Sequence, residues 1–295
     1  VYVKENHSNR LVSLALVEKG GVRNFLPEQS GFEMSLIRMI KSGSEKYSYD
    51  DIQDIKYKTH ASFYGAAMNE GSYLEIDCLD YYFDQMLDVF CDGILNPVFA
   101  EDEFNTMMKE HSQRLQRMQS DPASFAYYTG IDLVYSDHPY KTHPWPTEKS
   151  IQNITIEGLK KLHEDFLDAG KISFVLVGNI DGAKAVRKLN AMFGSVPRLT
   201  QAKDFLEPVE KIKISGENVV LSSSASEGTG FILGFFASPS ITDEDFMSAH
   251  IASDMFGDML YQVVREKYGA CYTPSCGTIW SNAAFGLINL YRVKI

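Results

Sequence analysis

Arg265 and Tyr272 stand seven residues apart in the run VREKYGACY, Val264 to Tyr272, on either side of Gly269. The run closes a long amphipathic helical pattern and opens a strand. An arginine stays protonated at any working pH and presents a rigid fork of N–H donors, to which a tyrosine hydroxyl adds one more. Such a pair suits the binding of a polarised carbonyl oxygen or a peptide chain end. The same residues also have a purely structural reading, since a helix C-terminus favours arginine and a strand favours tyrosine.

Other chemistry is hard to assemble from this chain. The seven histidines (His7, His60, His111, His138, His143, His163 and His250) form neither HExxH nor HxxEH. His138 and His143 fall in the proline-rich stretch HPYKTHP, where no regular helix aims both at one metal, so they read as loop residues. No GxSxG, phosphate-binding loop or dinucleotide glycine run is present. Ser222 to Ser224, beside Glu227 and Gly228, reads as a polar strand end or turn. Cys78, Cys91, Cys271 and Cys276 lack CxxC or Cys/His zinc spacing, and Cys271 and Cys276 point to opposite faces of one strand.

The formal net charge of −11 argues against a nucleic-acid or anionic-membrane surface, which needs clustered Lys and Arg. No apolar run is long enough to span a bilayer. No basic start precedes an apolar segment, so no signal peptide is visible, and Val1 is not an initiator methionine. A length of 295 residues suggests two units.

Those units follow from periodicity. Leu11 to Glu18 alternates as a strand; Gly31 to Ile40 carries Phe32, Leu36, Met39 and Ile40 on one helical face. Ser48 caps a short helix ending near Lys58, with Asp51 reaching back. His60 to Met68 and Ser72 to Leu79 flank Asn69-Glu70-Gly71 as a hairpin. Helices are expected over Tyr82 to Leu95, Ala100 to Met118, Ala123 to Tyr135, Thr155 to Leu167 and Asp181 to Phe193, with a strand from Lys171 to Val177. After a proline-bearing connection, Glu210 to Leu221, Gly230 to Phe236, Tyr272 to Trp280 and Phe285 to Val293 read as strands, with a helix from Asp243 to Lys267. The fold class is α+β: two similar units, each a mostly antiparallel sheet with helices packed on it. Residues 1–197 form the first, 198–208 a linker, and 209–295 a second that carries Arg265 and Tyr272 and is expected to be only part of a unit like the first.

Several stretches taken together resemble the pitrilysin or insulinase-type (M16) metallopeptidases: SGFEMSLIRMIKSG, LDVFCDGILNPVFAEDEF, SDP, YSDHPYKTHPWPTEKSIQNIT, FVLVGNID, ILGFFASP and VREKYGACY. The resemblance covers nearly the whole chain in the right order. It implies that Arg265 and Tyr272 bind substrate, since active members use an Arg and a Tyr at this spacing. It also implies a departure. Active members carry His-x-x-Glu-His where this chain has Met34, Ile37 and Arg38, and their third ligand, a Glu, falls near Arg114, one turn from Glu110 and His111. A thioether, an alkyl chain and guanidinium groups cannot replace imidazoles and carboxylates around zinc. The family closes two homologous halves around an unfolded peptide.

This chain is therefore expected to be a non-catalytic half or subunit that holds no metal of its own. A homologous zinc-bearing M16 half would be its partner, with an unfolded peptide as substrate. The edge strand Tyr64 to Met68 would line the chamber, and helices and a strand would follow Ile295. A structural or assembly subunit of the same fold is the alternative. A peptidase built on Glu110, His111 and another histidine is disfavoured, because adjacent helical residues point about 100° apart. The resemblance leaves the compartment open, cytoplasmic or periplasmic for a bacterial member.

Overall fold

The computed structural model describes residues 1–201, 207–214, 216, 218–222 and 228–294, which form two compact units. The first unit contains residues 1–112 and 142–207, the second residues 113–141 and 208–295.

In the first unit a five-stranded sheet runs in the order β1-β5-β2-β4-β3, from β1 (Tyr2–Glu5), β2 (Leu11–Lys19), β3 (Ser62–Ala67), β4 (Gly71–Leu79) and β5 (Ile172–Gly178). The alternation of β2 turns Val12, Leu14 and Leu16 into the core, where they join Leu74, Ile76 and Leu176. β3 and β4 form the expected hairpin, closed by the Met68 amide donating to the Gly71 carbonyl at 2.9 Å. β1 was not expected. It is exposed on both faces and pairs in parallel with β5, so no burial pattern announces it.

The helices follow their patterns closely. α1 (Phe32–Ile40) begins at Gly31, whose φ of 82° suits glycine and whose missing side chain admits Pro146. α2 (Tyr49–Thr59) is capped as expected, with the Asp51 amide donating to Ser48 Oγ at 3.2 Å and the Ser48 amide to Asp51 Oδ2 at 3.0 Å. α3 (Phe83–Leu95) buries Met86, Leu87, Phe90 and Ile94. α4 (Glu101–Ser120) and α5 (Pro122–Val134) come next, then α6 (Ile156–Phe166), capped by Thr155, and α7 (Gly182–Phe193), capped by Asp181.

The second unit holds α8 (Phe246–Leu260) and a three-stranded sheet, β6 (Thr229–Ala237), β7 (Ser275–Thr278) and β8 (Phe285–Lys294), in the order β6-β8-β7. Three strands of the first sheet and all three of the second share one plan, the earliest pairing with the latest and the latest with the middle one, as β2-β4-β3 and as β6-β8-β7. A helix follows the first strand in each.

Three expectations are revised. Residues 113–141, read as part of the first unit, pack with the second. Ile131, Tyr135 and Tyr140 share its core with Ala283 and Phe285, and the Tyr135 hydroxyl donates to the Ala283 carbonyl at 2.9 Å. Within Glu210 to Leu221 the described residues form no strand, and residues 215 and 217 lie outside the described set, as does 223–227 of the serine-rich stretch. Val209 and Ile212 pack on the core just named, while Lys211 pairs with Asp243 at 2.6 Å. The strand expected from Tyr272 to Trp280 shortens to β7, because Ser275–Thr278 is the part that forms a ladder with β8.

Candidate functional site

The structure brings Arg265 and Tyr272 together. Beyond α8 the helix widens into a π-helical turn, Tyr261–Lys267, in which the Tyr268 amide reaches back to the Val263 carbonyl at 3.2 Å. Gly269, at φ 59°, then reverses the chain. This turn folds Tyr272 back beneath the arginine. Arg265 Nη1 donates to the Tyr272 carbonyl at 3.1 Å, and its guanidinium carbon lies 4.0 Å from the centroid of the Tyr272 ring.

Tyr261, one helical turn before Arg265, adds a second ring at 4.8 Å. Sequence reasoning missed it, although its four-residue separation from Arg265 was a usable signal. The Tyr272 side is open, with that residue 71% exposed. Below it the Cys271 thiol donates to the Tyr291 carbonyl at 3.0 Å and ties the segment to β8. Of the five N–H donors of a guanidinium, the carbonyl contact uses one. Arginine and tyrosine therefore form a preorganised, solvent-facing cationic and aromatic surface.

The positions where the resemblance predicts zinc ligands look different. Ile37 is 1% exposed and belongs to the main core, and Met34 packs against that core. Arg38 donates from Nη1 to Ser42 Oγ at 2.5 Å, and its Nε lies 3.6 Å from Glu110 Oε2. Its guanidinium carbon is 6.0 Å from the centre of the Tyr49 ring.

On α4, Glu110 is found beside Arg38, whereas Arg114 Nη2 donates to the Tyr128 hydroxyl at 3.2 Å. Sequence spacing had favoured Arg114. Residues four apart lie on nearly the same helical face, so spacing alone could not separate the two. Next to Glu110, His111 Nε2 lies 3.1 Å from Ser35 Oγ, whose hydroxyl donates to the Gly31 carbonyl, so the histidine is the donor in that contact.

These residues do not fit a catalytic zinc ion. A thioether and a buried alkyl chain supply no hard ligand, and the guanidinium of Arg38 places a positive charge there, paired with Glu110. Among the described residues no group of three or more His, Cys, Asp or Glu is arranged to hold a metal ion. The loop histidines are structural: His138 Nδ1 accepts from the Tyr140 amide at 3.1 Å, and its Nε2 contacts the Glu210 carbonyl at 2.9 Å. His143 stacks on Trp145 with ring centres 5.1 Å apart. All four cysteines are free thiols. No helix among the described residues is long and apolar enough to cross a membrane. β3 is an edge strand, with Tyr64 and Met68 at its exposed rim.

Comparison with known proteins bears on the same features. Residues 1–129 match a family model described as insulinase (peptidase family M16), and residues 153–292 one described as the peptidase M16 inactive domain. An uncharacterized zinc protease of Rickettsia felis is 25% identical across 88% of this chain and 63% of its own length, so the chain spans less than two thirds of that relative. The non-peptidase homolog YmxG of Helicobacter pylori is 20% identical across 100% of this chain and 68% of its own. The peptidase M16 inactive domain from Pseudomonas fluorescens superposes with a TM-score of 0.84 at 18% identity, covering 99% of this chain and 71% of that one. A protease from Helicobacter pylori does so with a TM-score of 0.79 at 16% identity, covering 99% and 72%.

Proposed function

The chain belongs to the M16, insulinase-type peptidase family as a non-catalytic member, and from that premise we propose that it is the half or subunit that binds peptide for a zinc-bearing partner. The observation that carries this reading is the replacement of ligand-type side chains on α1 by Met34, Ile37 and Arg38, with Arg38 already paired to Glu110. Hydrolysis then has to take place on another M16 half, and what this chain retains is the Arg265–Tyr272 surface.

In that role Arg265 holds a substrate carbonyl or chain end with the N–H groups not used on Tyr272, and the exposed Tyr272 hydroxyl adds a further donor. The tyrosine rings at 4.0 and 4.8 Å fix the guanidinium plane beforehand, which lowers the ordering cost of binding. Donors of this kind speed hydrolysis only as far as they bind the transition state more tightly than the ground state.

The deciding experiment measures hydrolysis of an unstructured peptide by this chain alone, by an HxxEH-bearing homologue from the same source, and by the mixture, with zinc determined in each. Activity that rises in the mixture, with zinc confined to the homologue, supports the reading. A mixture no more active than the homologue alone overturns it and favours a structural or assembly subunit. That second reading has its own support, since Arg265 already bonds to a carbonyl of its own chain.

A further inference from the structure

Two carboxyl groups meet in the interior of the first unit. Glu18, near the end of β2, is 4% exposed, and Glu33, the second residue of α1, is 3% exposed. β2 alternates so that Glu18 takes the core-facing position after Val12, Leu14 and Leu16, in register between Ser72 of β4 and Ile172 of β5. The two carboxyls are hydrogen-bond partners of each other. Two carboxylates cannot make that bond, since each only accepts; it requires one carboxylic acid and one carboxylate. The Oε2 atoms of both residues otherwise lack a partner, so the proton is what satisfies them.

The surrounding charges do not remove this requirement. From β4 the Ser72 hydroxyl lies beside Glu33, and from the loop after β2 the Gly21 amide serves Glu18. Lys171, just before β5, brings the cation that acts on the pair among the described residues, its Nζ 3.9 Å from Glu18 Oε1. That ammonium also interacts with Asp168. One shared cation can balance one carboxylate but not two.

We propose that Glu18 and Glu33 share a single proton, and that this acid–carboxylate pair is a pH-operated latch fastening the start of α1 to the end of β2 and holding the intervening loop, residues 20–31, in place. The loop is also pinned at its far end, where the His143 amide donates to Ser30 Oγ at 3.1 Å and the Gly31 amide to the His143 carbonyl at 3.1 Å. Release of the proton to buffer leaves two carboxylates facing each other in a buried site, and the loop gives way. Among the described residues no group of three or more His, Cys, Asp or Glu could hold a metal, and the neighbouring Met34 side chain packs on the core.

Burial, the largest influence on both groups, raises both above the ordinary carboxylate range, Glu18 the further, to about 8. Because the folded chain then binds the proton more tightly than the unfolded one, stability declines as pH rises from the ordinary carboxylate range towards 8 and levels off above it.

The test is carboxyl-resolved NMR titration of the whole chain, together with amide hydrogen exchange of residues 20–35 from about pH 6 to about pH 9, corrected for the intrinsic rate. The expected result is one glutamate carboxyl titrating near neutral pH or above, and about a tenfold or greater loss of protection across that range, abolished in Glu18→Gln and in Glu33→Gln. The same loss in the native chain and in both variants overturns the proposal. So does NMR showing both carboxyls ionised at low pH, a readout that needs no variant to fold.

Discussion

At Arg265 two demands compete for one guanidinium, the carbonyl of its own Tyr272 and a carbonyl from a peptide. If the substrate demand is the functional one, Arg265→Ala lowers kcat/KM of the assembled pair about tenfold or more, the scale of a lost charge-assisted hydrogen bond at about 1.5–3 kcal/mol. Tyr272→Phe, which keeps the ring under the guanidinium, has a smaller effect and leaves assembly unchanged by size-exclusion chromatography. An Arg265→Ala variant with full turnover but a lowered melting temperature would instead mark the contact as structural. That Arg265 and Tyr272 meet was suggested by their separation around a glycine, whereas residue types alone left a structural role equally open and only the family resemblance pointed to substrate. Glu110 was harder to place, since it competes with Arg114 one turn on and only tertiary packing shows which of them meets Arg38. The Glu18–Glu33 pair was not legible at all, as nothing in a strand ending in Glu-Lys says that a helix fifteen residues later returns a second acid to the same interior.

Among the elements, those with a burial pattern or a cap were readable and those made by distant pairing were not. The capping box of α2 is a local device, and Ser48→Ala should destabilise the fold by about 1 kcal/mol in chemical denaturation. α1 depends on Gly31 in a different way. A Cβ there would come within 2.3 Å of the Pro146 nitrogen at a backbone angle that side chains resist, so Gly31→Ala should cost upwards of about 2 kcal/mol and shift the near-ultraviolet signal of adjacent Trp145. A loss comparable to that of an ordinary surface alanine would mean that the 143–146 segment yields easily. β1 escaped notice because its four residues are exposed on both sides, and their only reason to be extended is the parallel ladder with β5, more than 160 residues away. The irregular course of the described residues within 210–221 is the converse, an alternating pattern without a ladder to join.

On the scale of the whole molecule, the two units differ in how much interior they possess. The first has a core that runs through β2, β3, β4, β5 and most of its helices, while the second rests on a small cluster about Tyr135, Tyr140 and Phe285. Native-state hydrogen exchange should therefore find the slowest amides in β2 and β4, with β6 and β8 opening at lower free energy; uniform protection would count against separate cooperative units. The likeness of the two units was foreshadowed by sequence, but the affiliation of residues 113–141 was not, because helices α4 and α5 follow one another across the boundary. That affiliation has a consequence for cleavage. The polypeptide passes between the units three times, at 112–113, 141–142 and 207–208, so a protease nick within 198–208 frees neither one. The amino-terminal fragment would carry off α5, on which the carboxy-terminal fragment relies for its interior. The two pieces should co-elute under native conditions and separate only in denaturant, behaving as a complemented pair and not as two domains.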